Sequence, residues 1–493
     1  MPTLEWIGKS KVINHHQEAP FRVLERKYSF DENGQHNEDN GSENMIIRGD
    51  NLEALKALLP RYEGRIKCIY IDPPYNTGNE GWVYNDNVND PKIKKWLGEV
   101  VGKEGEDLTR HDKWLCMMYP RLKLLQKLLA DDGVIFISID DTECSNLILI
   151  CNEIFGASNF VANVSWQRTY SPRNDSKGIV SEVEHLVVFS KNPGWQPNKL
   201  PRTEAMDSRY KNPDNDVAPW KSSDAFAPGA ATHQGMVYAI QHPFTGEMLY
   251  PSNGRCWRYQ QSSMLEYMQG WCNYRLENLH DEKERARVCG IDESAVRKDV
   301  LAIVLEEPLE VSAAKAQKVY NRGRWPGFYF TKGGYGGIAR KTYLENVGGR
   351  LPTNLWMYEE TGHTDEAKKE LISLFGGRSP FDTPKPTRLL DFVLKVAGTS
   401  ETLMLDSFAG SGTTAHAVLN ANKADNGNRH FILIEMMDYA DSITAERVKR
   451  VIRGYGEGKN AVEGTGGNFS FYDLGKPLPV SYTHLTLPTI LRV

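Results

Sequence analysis

A carboxylate and an aromatic ring follow a predicted buried strand in the stretch YIDPPYNTG, residues 70–78. The residues before it, RIKCIYI, have the apolar alternation of a strand. Pro73 and Pro74 end this strand, because proline cannot donate a hydrogen bond to a neighbouring strand and fixes its own φ. The strand end therefore presents hydrogen-bond acceptors, the Asp72 carboxylate and the Pro73 carbonyl, beside the Tyr75 ring.

A second predicted strand ends in a glycine turn. The stretch LDSFAGSGTTA leads from a strand into a helix through Gly410 and Gly412, and Ala415 completes the pattern G-x-G-x-x-A. Glu435 ends the next predicted strand 20 residues after Ala415. Glycines at such a turn let a ligand approach the backbone, and the acidic residue can accept hydrogen bonds from ribose hydroxyls. The pattern fits NAD, FAD or S-adenosylmethionine, and its purely structural interpretation is a tight turn with a capping acid.

The two strand ends together discriminate between these ligands. Ligands of an open parallel sheet bind beyond the carboxyl ends of the strands, so neighbouring strand ends share one crevice. Nicotinamide chemistry has no evident use for Asp-Pro-Pro-Tyr, whereas methylation of an exocyclic amine does. The lone pair of such an amine is delocalised into the ring until acceptors bind its N–H groups and draw the nitrogen towards tetrahedral geometry. A base stacked on Tyr75 gains about 1–3 kcal/mol, and the reaction requires positioning but no metal.

The remaining chain predicts an α/β fold interrupted by a different module. Strand and helix patterns alternate over residues 45–160 and again after residue 380, which is typical of a parallel sheet. Residues 160–380 lose this rhythm after the strand EHLVVFSKN at 184–192. Neither block alone makes a sheet of ordinary size, so we expect one sheet assembled from both.

Composition constrains the nucleic-acid contacts. A formal net charge of −5 over 493 residues excludes a globally basic binder, so any contact must come from a local basic face. Residues 315–341, KAQKVYNRGRWPGFYFTKGGYGGIARK, contain seven Lys or Arg, six aromatics and no acidic residue. This stretch is either a phosphate-and-base surface or a solvated loop whose aromatics enter the core.

The remaining features predict a cytoplasmic protein. The seven cysteines form no C-x-x-C pair, which indicates a reducing compartment, and neither a signal peptide nor an apolar run of membrane-spanning length is apparent. The last residues, VSYTHLTLPTILRV at 480–493, differ from the preceding composition and resemble a translated sequencing adaptor. We therefore expect a reading frame that is cut off near Pro479, so that 476–493 consists of the truncated end and an artefactual tail.

Several motifs resemble those of one enzyme family. DPPYNTG with FAGSGTT is similar to the amino-group DNA methyltransferases of the β class, in which the catalytic block precedes the target-recognition domain. The stretches RGDNLEALKAL, EHLVVFSKN, GHTDEAKKEL and DTPKPTRLL extend the resemblance over residues 44–475, to the methylating subunit of type III restriction-modification systems. The fold this implies is a Rossmann-like methyltransferase sheet assembled from two sequence blocks, with an inserted recognition domain.

The resemblance also implies roles for individual residues. Asp72, Pro73, Pro74 and Tyr75 are the expected catalytic motif, and its aspartate form implies adenine N6 as the target. S-adenosylmethionine is the implied cofactor, and no metal is implied. The residues expected to bind it are Asp50, Lys385, Asp406, Phe408, Gly410, Gly412, Thr413 and Glu435. Among them, Lys385 of TPKP is expected to meet the methionine carboxylate and Glu435 the ribose.

The implied organisation has five segments: an N-terminal extension (1–43), a catalytic block (44–192), a target-recognition domain (193–380), a cofactor block (381–475) and the tail (476–493). Candidate DNA contacts are Arg168, Arg322, Arg324 and Lys332, with Arg173 as a further candidate; a loop salt bridge is the alternative for Arg168 and Arg173. The implied partners are double-stranded DNA, a restriction endonuclease subunit and a second copy of the chain, with no membrane contact.

Three alternatives remain at this stage. An N4-cytosine methyltransferase would use the same acceptor geometry, although serine is more frequent there in place of Asp72. An NAD-dependent oxidoreductase is supported only by the pattern at 410–435. A catalytically silent DNA-binding subunit is disfavoured because no position of either motif is degraded.

Overall fold

The structure is a computed structural model that describes residues 3–77, 95, 98–100, 110–171, 178–458 and 461–478. Arg173 and the tail from residue 479 onward lie outside the described residues. The chain forms two compact units, one from residues 1–200 and 351–493, the other from residues 201–350. The second unit lies within the predicted recognition domain, 193–380, whose bounds and role stay a prediction.

The first unit is built on a large mixed sheet with eleven strands among the described residues. In chain order they are β1 (Arg22–Asp31), β2 (Gly34–His36), β3 (Met45–Arg48), β4 (Ile66–Ile71), β5 (Leu129–Ile139), β6 (Phe160–Gln167), β7 (Val183–Ser190), β8 (Leu355–Trp356), β9 (Leu403–Asp406), β10 (His430–Glu435) and β11 (Phe469–Pro477). Their spatial order is β8-β6-β7-β5-β4-β9-β10-β3-β11-β1-β2. The strands β5, β4, β9, β10, β3 and β11 run parallel to one another.

The two sequence blocks meet at the centre of this sheet. Strand β4 pairs in parallel with β9, with Cys68 opposite Met404 and Ile69 opposite Leu405. Their carboxyl ends, Ile71 and Asp406, therefore lie at the same edge of the sheet. The prediction of one α/β sheet assembled from two blocks is confirmed.

Helices pack against the first unit's sheet. Those described are α1 (Lys9–Val12), α2 (His15–Glu18), α3 (Asn51–Tyr62), α4 (Arg110–Leu128), α5 (Cys144–Phe155), α6 (Tyr358–Thr361), α7 (Thr364–Phe375), α8 (Thr387–Ala397), α9 (Thr413–Asp425) and α10 (Glu446–Arg453). A π-helical turn, Asp441–Ala445, directly precedes α10. In the described part of the chain, no helix is both long and apolar enough to cross a membrane.

The side chains of β4 alternate between two cores, as expected of a strand buried on both faces. Ile69 and Ile71 belong to the core that includes the leucines of α3 and α4. Cys68 and Tyr70 belong to the core that includes the apolar residues of α8 and α9. Burial on both faces explains why the sequence reads as a nearly continuous apolar run that ends abruptly at Asp72.

The second unit has its own core and shorter strands. The described strands are Trp220–Asp224, Phe226–Pro228, Ile240–Gln241, Met248–Leu249, Arg255–Trp257, Tyr274–Glu277, Ala302–Leu305, Phe328–Phe330 and Ile338–Tyr343. The described helices are Glu204–Asp207, Gln261–Met268, Glu282–Cys289 and Leu309–Arg322. Its core is rich in aromatic residues, including Trp257, Trp271 and Phe330. The frequent Trp, Pro and Gly residues of this region thus form a compact body of their own.

A buried lysine holds part of the second unit together. The Lys341 ammonium donates to the carboxylates of Asp214 and Asp216 and to the Trp325 carbonyl, and its side chain is fully buried. Asp214 also accepts hydrogen bonds from the Trp220 indole and the Trp325 backbone N–H. Lys341 is therefore a structural residue, although it lies in the basic stretch that the sequence marks as a candidate nucleic-acid surface.

We predict that Lys341→Met destabilises the second unit by about 3–5 kcal/mol, because it leaves buried carboxylates without their cation. Urea unfolding followed by tryptophan fluorescence would measure the change. The matched control is Lys318→Met, since Lys318 is an exposed lysine of the same stretch, and we expect a change within about 0.5 kcal/mol. Equal unfolding midpoints for the two variants would contradict the prediction.

Candidate active site

The two predicted motifs line one cleft at the carboxyl edge of the sheet. Asp72 follows β4, whereas Asp406 ends β9 and the residues up to Thr414 lead from it into α9. The cleft is lined by Tyr70, Asp72, Phe381, Thr383, Pro384, Lys385, Asp406, Phe408, Ala409, Gly410, Ser411, Thr413 and Thr414. Asp72 of the DPPY motif, the glycine turn and the TPKP segment thus converge within the first unit.

The loop after β4 is held rigidly by contacts on both sides of Tyr75. The Trp114 indole donates to the Pro74 carbonyl over 2.7 Å. Asn76 is buried, adopts a left-handed backbone with φ of 63°, and its amide donates to the Glu143 carboxylate. These contacts fix the loop in a conformation that places the Asp72 carboxylate in the cleft.

The Lys385 ammonium forms hydrogen bonds with both oxygens of the Asp72 carboxylate. Its ammonium lies 2.8 Å from Asp72 Oδ1 and 2.7 Å from Oδ2, and it also donates to the Tyr75 hydroxyl over 2.8 Å. The same ammonium lies 4.9 Å from the centre of the Tyr75 ring. The structure therefore brings Lys385 to the catalytic motif; its contact with a methionine carboxylate stays a prediction.

A second carboxylate shares this cluster. Glu184, at the start of β7, lies with Oε2 3.0 Å from the Tyr75 hydroxyl and 3.5 Å from the Lys385 ammonium. Its Oε1 accepts a hydrogen bond from Arg168 over 2.9 Å. The Tyr75 hydroxyl is also 2.9 Å from Asp72 Oδ1, so its one proton is shared between two carboxylates. Two anions and two cations thus form a charge-balanced group.

This cluster shifts the pKa of each carboxyl differently. Burial raises the pKa of Asp72, and the Glu184 charge adds to the increase, although Lys385 opposes it. Burial also acts to raise the pKa of Glu184, but the charges of Lys385 and Arg168 outweigh this effect, so the pKa of Glu184 is lowered. Burial and both carboxylates raise the pKa of Tyr75 well above its usual value, which keeps the hydroxyl protonated.

The glycine turn after β9 is built without room for side chains. Gly410 and Gly412 have φ of 51° and 82°, a region that favours glycine. A Cβ atom at Gly410 would lie 3.2 Å from the Phe381 ring, and one at Gly412 would lie 3.0 Å from the Thr444 carbonyl oxygen. The turn is therefore a tight, preformed backbone cradle.

Acidic residues brace this cradle from within. Glu435, only 2% exposed, accepts hydrogen bonds from the backbone N–H groups of Gly410, over 2.8 Å, and Met437, over 3.0 Å. Asp406 accepts from the Phe408 N–H and the Thr414 hydroxyl. Burial raises the pKa of Asp406 to about 7. Both acids thus act as capping acids of the turn here, and their contacts with a cofactor stay predictions.

Asp50 also lies next to this cradle. It caps α3 by accepting from the backbone N–H groups of Leu52 and Glu53, and its second oxygen accepts from Arg121. The adjacent Asn51 amide donates to the Ser407 carbonyl over 3.3 Å. Asp50 therefore lies one residue from a contact with the glycine turn, and its predicted role near the cofactor is untested.

A buried arginine behind the cradle is a feature that sequence reasoning missed. Arg447 of α10 donates to the hydroxyls of Ser411 and Thr413 and to the Glu370 carboxylate. The Thr413 hydroxyl in turn donates to the Lys385 carbonyl over 3.2 Å. Arg447 thus connects the glycine turn with the TPKP segment. No sequence signal marks it, because its partners are distant along the chain.

The predicted DNA contacts occupy two different environments. In the second unit, Arg322, Arg324 and Lys332 are exposed. In the first unit, Arg168 is 39% exposed at its side chain and pairs with Glu184. This pairing corresponds to the salt-bridge alternative for Arg168, while DNA contact by any of the four residues stays a prediction.

Comparison with known proteins agrees with this arrangement. The DNA methylase family profile, N6_N4_Mtase, matches residues 66–446. The StyLTI Mod subunit, a type III restriction-modification protein of Salmonella typhimurium, is 32% identical over 440 residues, which cover 84% of this chain and 58% of that protein. The EcoPI Mod subunit of Escherichia phage P1 is 30% identical over 466 residues, which cover 88% of this chain and 63% of that protein.

A type II enzyme is also similar. The methyltransferase M.KpnI of Klebsiella pneumoniae is 28% identical over 404 residues, which cover 80% of this chain and 81% of that enzyme. By contrast, the chain spans only about three fifths of the two Mod subunits. Because the family profile covers more than half of the sequence and includes both strand-end motifs, the chain belongs to the N6_N4_Mtase family of DNA methylases.

Proposed function

We propose that this chain is a site-specific DNA methyltransferase that transfers a methyl group from S-adenosylmethionine to adenine N6 in double-stranded DNA. The observation that carries the proposal is the shared cleft, in which the Asp72 carboxylate and the Gly410 turn are lining neighbours. An acceptor for an amine and a backbone cradle for a nucleoside are the two parts that this reaction requires. Membership of the DNA methylase family supports the same reaction.

The residues of the cleft fit S-adenosylmethionine. Gly410 lines the cleft with bare backbone, which a ligand can approach closely, and S-adenosylmethionine supplies an electrophilic methyl group when bound. We assign Asp406, Phe408 and Thr413 to the walls of this site, with Lys385, Glu435 and Asp50 as its charged residues. Lys385 carries the positive charge that a ligand carboxylate requires.

The catalytic work of the protein is to orient and polarise the target amine. Asp72 accepts one N–H of the amine and the Pro73 carbonyl accepts the other, so that the nitrogen lone pair turns away from the base. The N–C bond would form as the S–C bond to the methyl group breaks, with the neutral thioether S-adenosylhomocysteine as the leaving group. The amine must then lose one proton, and the Asp72 carboxylate is the acceptor already in contact with it. Because a duplex hides the amine, the base must leave the stack to reach Tyr75.

Adenine is preferred over cytosine on two grounds. The motif begins with Asp72 rather than serine, and the similar Mod subunits are type III proteins. The N4-cytosine alternative is therefore not favoured. The family match leaves the NAD-dependent oxidoreductase without support.

We propose that the chain serves as the modification subunit of a type III restriction-modification system in the cytoplasm. Its similarity to two subunits of restriction-modification enzymes supports an endonuclease partner, while the homodimer stays a prediction. The similarity to M.KpnI favours a second candidate, a type II methyltransferase. Co-purification of the chain in one complex with an endonuclease encoded next to this gene would support the first candidate, and failure of such an endonuclease to bind the chain would support the second.

The reaction itself can be tested with purified protein, labelled S-adenosylmethionine and host DNA. Nucleoside analysis of the product separates 6-methyladenine from 4-methylcytosine, and single-molecule sequencing gives the recognised site. We expect 6-methyladenine at one sequence motif. The appearance of 4-methylcytosine would show that cytosine, not adenine, is the target base. The absence of any methyl transfer to DNA would refute the proposed function.

We predict that Asp72→Ala lowers the rate of methyl transfer by about 10²–10⁴-fold, the range typical of a lost acid–base group. Cofactor binding should persist, because the glycine cradle does not depend on this side chain. Filter-bound label measures transfer, and calorimetry with S-adenosylhomocysteine measures binding.

The control for this variant is Asp141→Ala. Asp141 lies just beyond the neighbouring strand β5 but is exposed and pairs with His185. We expect wild-type activity from it. Wild-type activity from Asp72→Ala would remove the proposed role of Asp72.

We predict that Gly410→Asp abolishes cofactor binding. Its side chain would collide with the Phe381 ring, would strain a backbone with φ of 51°, and would place a carboxylate beside Glu435. Calorimetry would show no heat of binding.

Gly64→Asp is the matched control, since Gly64 also has a positive φ of 68° but has no atom within 4 Å of its added Cβ. It should bind the cofactor with wild-type affinity. The prediction is wrong if Gly410→Asp does the same while its circular dichroism spectrum is native.

A further inference from the structure

Glu184 is a buried carboxylate that the proposed reaction leaves without a role. Its side chain is 8% exposed, and it lies on β7, which is not one of the strands that carry the two motifs. It contacts three members of the cleft cluster, namely Tyr75, Lys385 and Arg168. A buried charge is costly unless it is paired, so a glutamate kept here requires an explanation.

The explanation begins with a conflict at Asp72. In this structure Lys385 contacts both oxygens of the carboxylate, and the Tyr75 hydroxyl contacts one of them. An incoming amine must compete for the Asp72 oxygens with an ammonium group, whose charge-assisted hydrogen bonds are roughly twice as strong as neutral ones. The amine therefore competes with this ammonium and this hydroxyl for the Asp72 oxygens, and a group that takes over these partners favours its binding.

Glu184 is placed to take over both. Its Oε2 lies 3.0 Å from the Tyr75 hydroxyl and 3.5 Å from the Lys385 ammonium, against 2.9 Å and 2.7 Å for the closest Asp72 oxygens. A displacement of Lys385 by less than the width of an atom converts one pairing into the other. Arg168 holds the opposite oxygen of Glu184, which keeps the carboxylate fixed during this exchange.

We propose that Glu184 is a positioning residue that draws Lys385 and the Tyr75 hydroxyl away from Asp72 when the target amine binds. The proposal rests on the proposed function, since it assigns Asp72 to the amine. On this proposal, Lys385 is a cation shared by two carboxylates. The Tyr75 hydroxyl keeps its proton and moves its hydrogen bond from Asp72 to Glu184. No bond to the base or to the methyl donor involves Glu184.

The proposal has an electrostatic signature at Asp72. The charged or titratable groups that act on this carboxyl are Lys385, Glu184, Tyr75, Tyr70 and Asp406. Among them, the negative charge of Glu184 acts to raise the pKa of Asp72. Glu184→Gln removes that charge while keeping an oxygen for Tyr75, so Lys385 should bind Asp72 more tightly and the Asp72 pKa should fall.

Two measurements on Glu184→Gln test this. The first is a carbon NMR titration of protein labelled at the aspartate carboxyl carbons, without DNA or cofactor, in which Asp72→Asn identifies the Asp72 resonance. We expect a lower titration midpoint than in the wild type. The second is the pH dependence of kcat: we expect a loss of about 10²-fold, as for a misplaced catalytic group, with the acid limb at lower pH because Asp72 ionises earlier.

The controls separate this role from simple packing. Glu153 also accepts hydrogen bonds from a lysine and a tyrosine, namely Lys9 over 3.0 Å and Tyr119 over 2.8 Å, but it does not line the cleft. Glu153→Gln should therefore leave the Asp72 midpoint and the pH profile unchanged. Glu184→Asp, which keeps the charge, should hold the midpoint near the wild-type value even if it lowers stability.

The outcomes are distinguishable. An unchanged Asp72 midpoint and unchanged kcat in folded Glu184→Gln would overturn the proposal while leaving the methyltransferase function intact. If the wild type itself transfers no methyl group to DNA, the proposed function fails. The NMR midpoint, which needs neither DNA nor cofactor, then decides by itself whether Glu184 controls the ionisation of Asp72.

Discussion

The backbone pairing of β4 with β9 is the interaction on which the candidate site depends. These strands lie more than three hundred residues apart in the chain, yet Cys68 pairs with Met404 and Ile69 with Leu405. Because the pair is parallel, both strands end at the same edge of the sheet, and their loops share one cleft. A shift of one residue in this register would turn the buried side chains of β4 to the wrong core and move Asp72 with them.

The buried carboxylates of the cleft are stabilised by pairing with cations. Asp72 and Glu184 carry negative charge in a buried place, and Lys385 and Arg168 neutralise it. An amine acceptor must be ionised and yet available, whereas a buried carboxylate is stable only when it is engaged. A second carboxylate within reach of the same lysine reconciles these demands, because the cation can stay buried and paired while Asp72 changes partner.

The sequence predicted those parts of the site that depend on local chemistry. Two adjacent prolines must end a strand, and glycines at a strand-to-helix turn indicate a backbone cradle, so Asp72 and Gly410 could be placed in advance. Glu184 could not, because an acidic residue at the start of an apolar strand carries no sign of its neighbours. Composition also could not distinguish Lys341 from the other basic residues of 315–341, because the two aspartates that pair with it in the core lie more than a hundred residues upstream.

The glycine turn itself depends on contacts from the helical segment behind it. The π-helical turn before α10 lets the Thr444 hydroxyl donate to the Gly410 carbonyl over 2.6 Å, and Arg447, on the same helical segment, holds Ser411 and Thr413. A π-turn displaces the residues that follow it, and such turns are frequent at functional sites. Since Thr413 also contacts the Lys385 carbonyl, this segment fixes the backbone that carries the lysine. The position of the Lys385 cation, which contacts Asp72 and Glu184, is thus set from the far side of the glycine turn, and the geometry of this turn and the charge at Asp72 are parts of one connected structure.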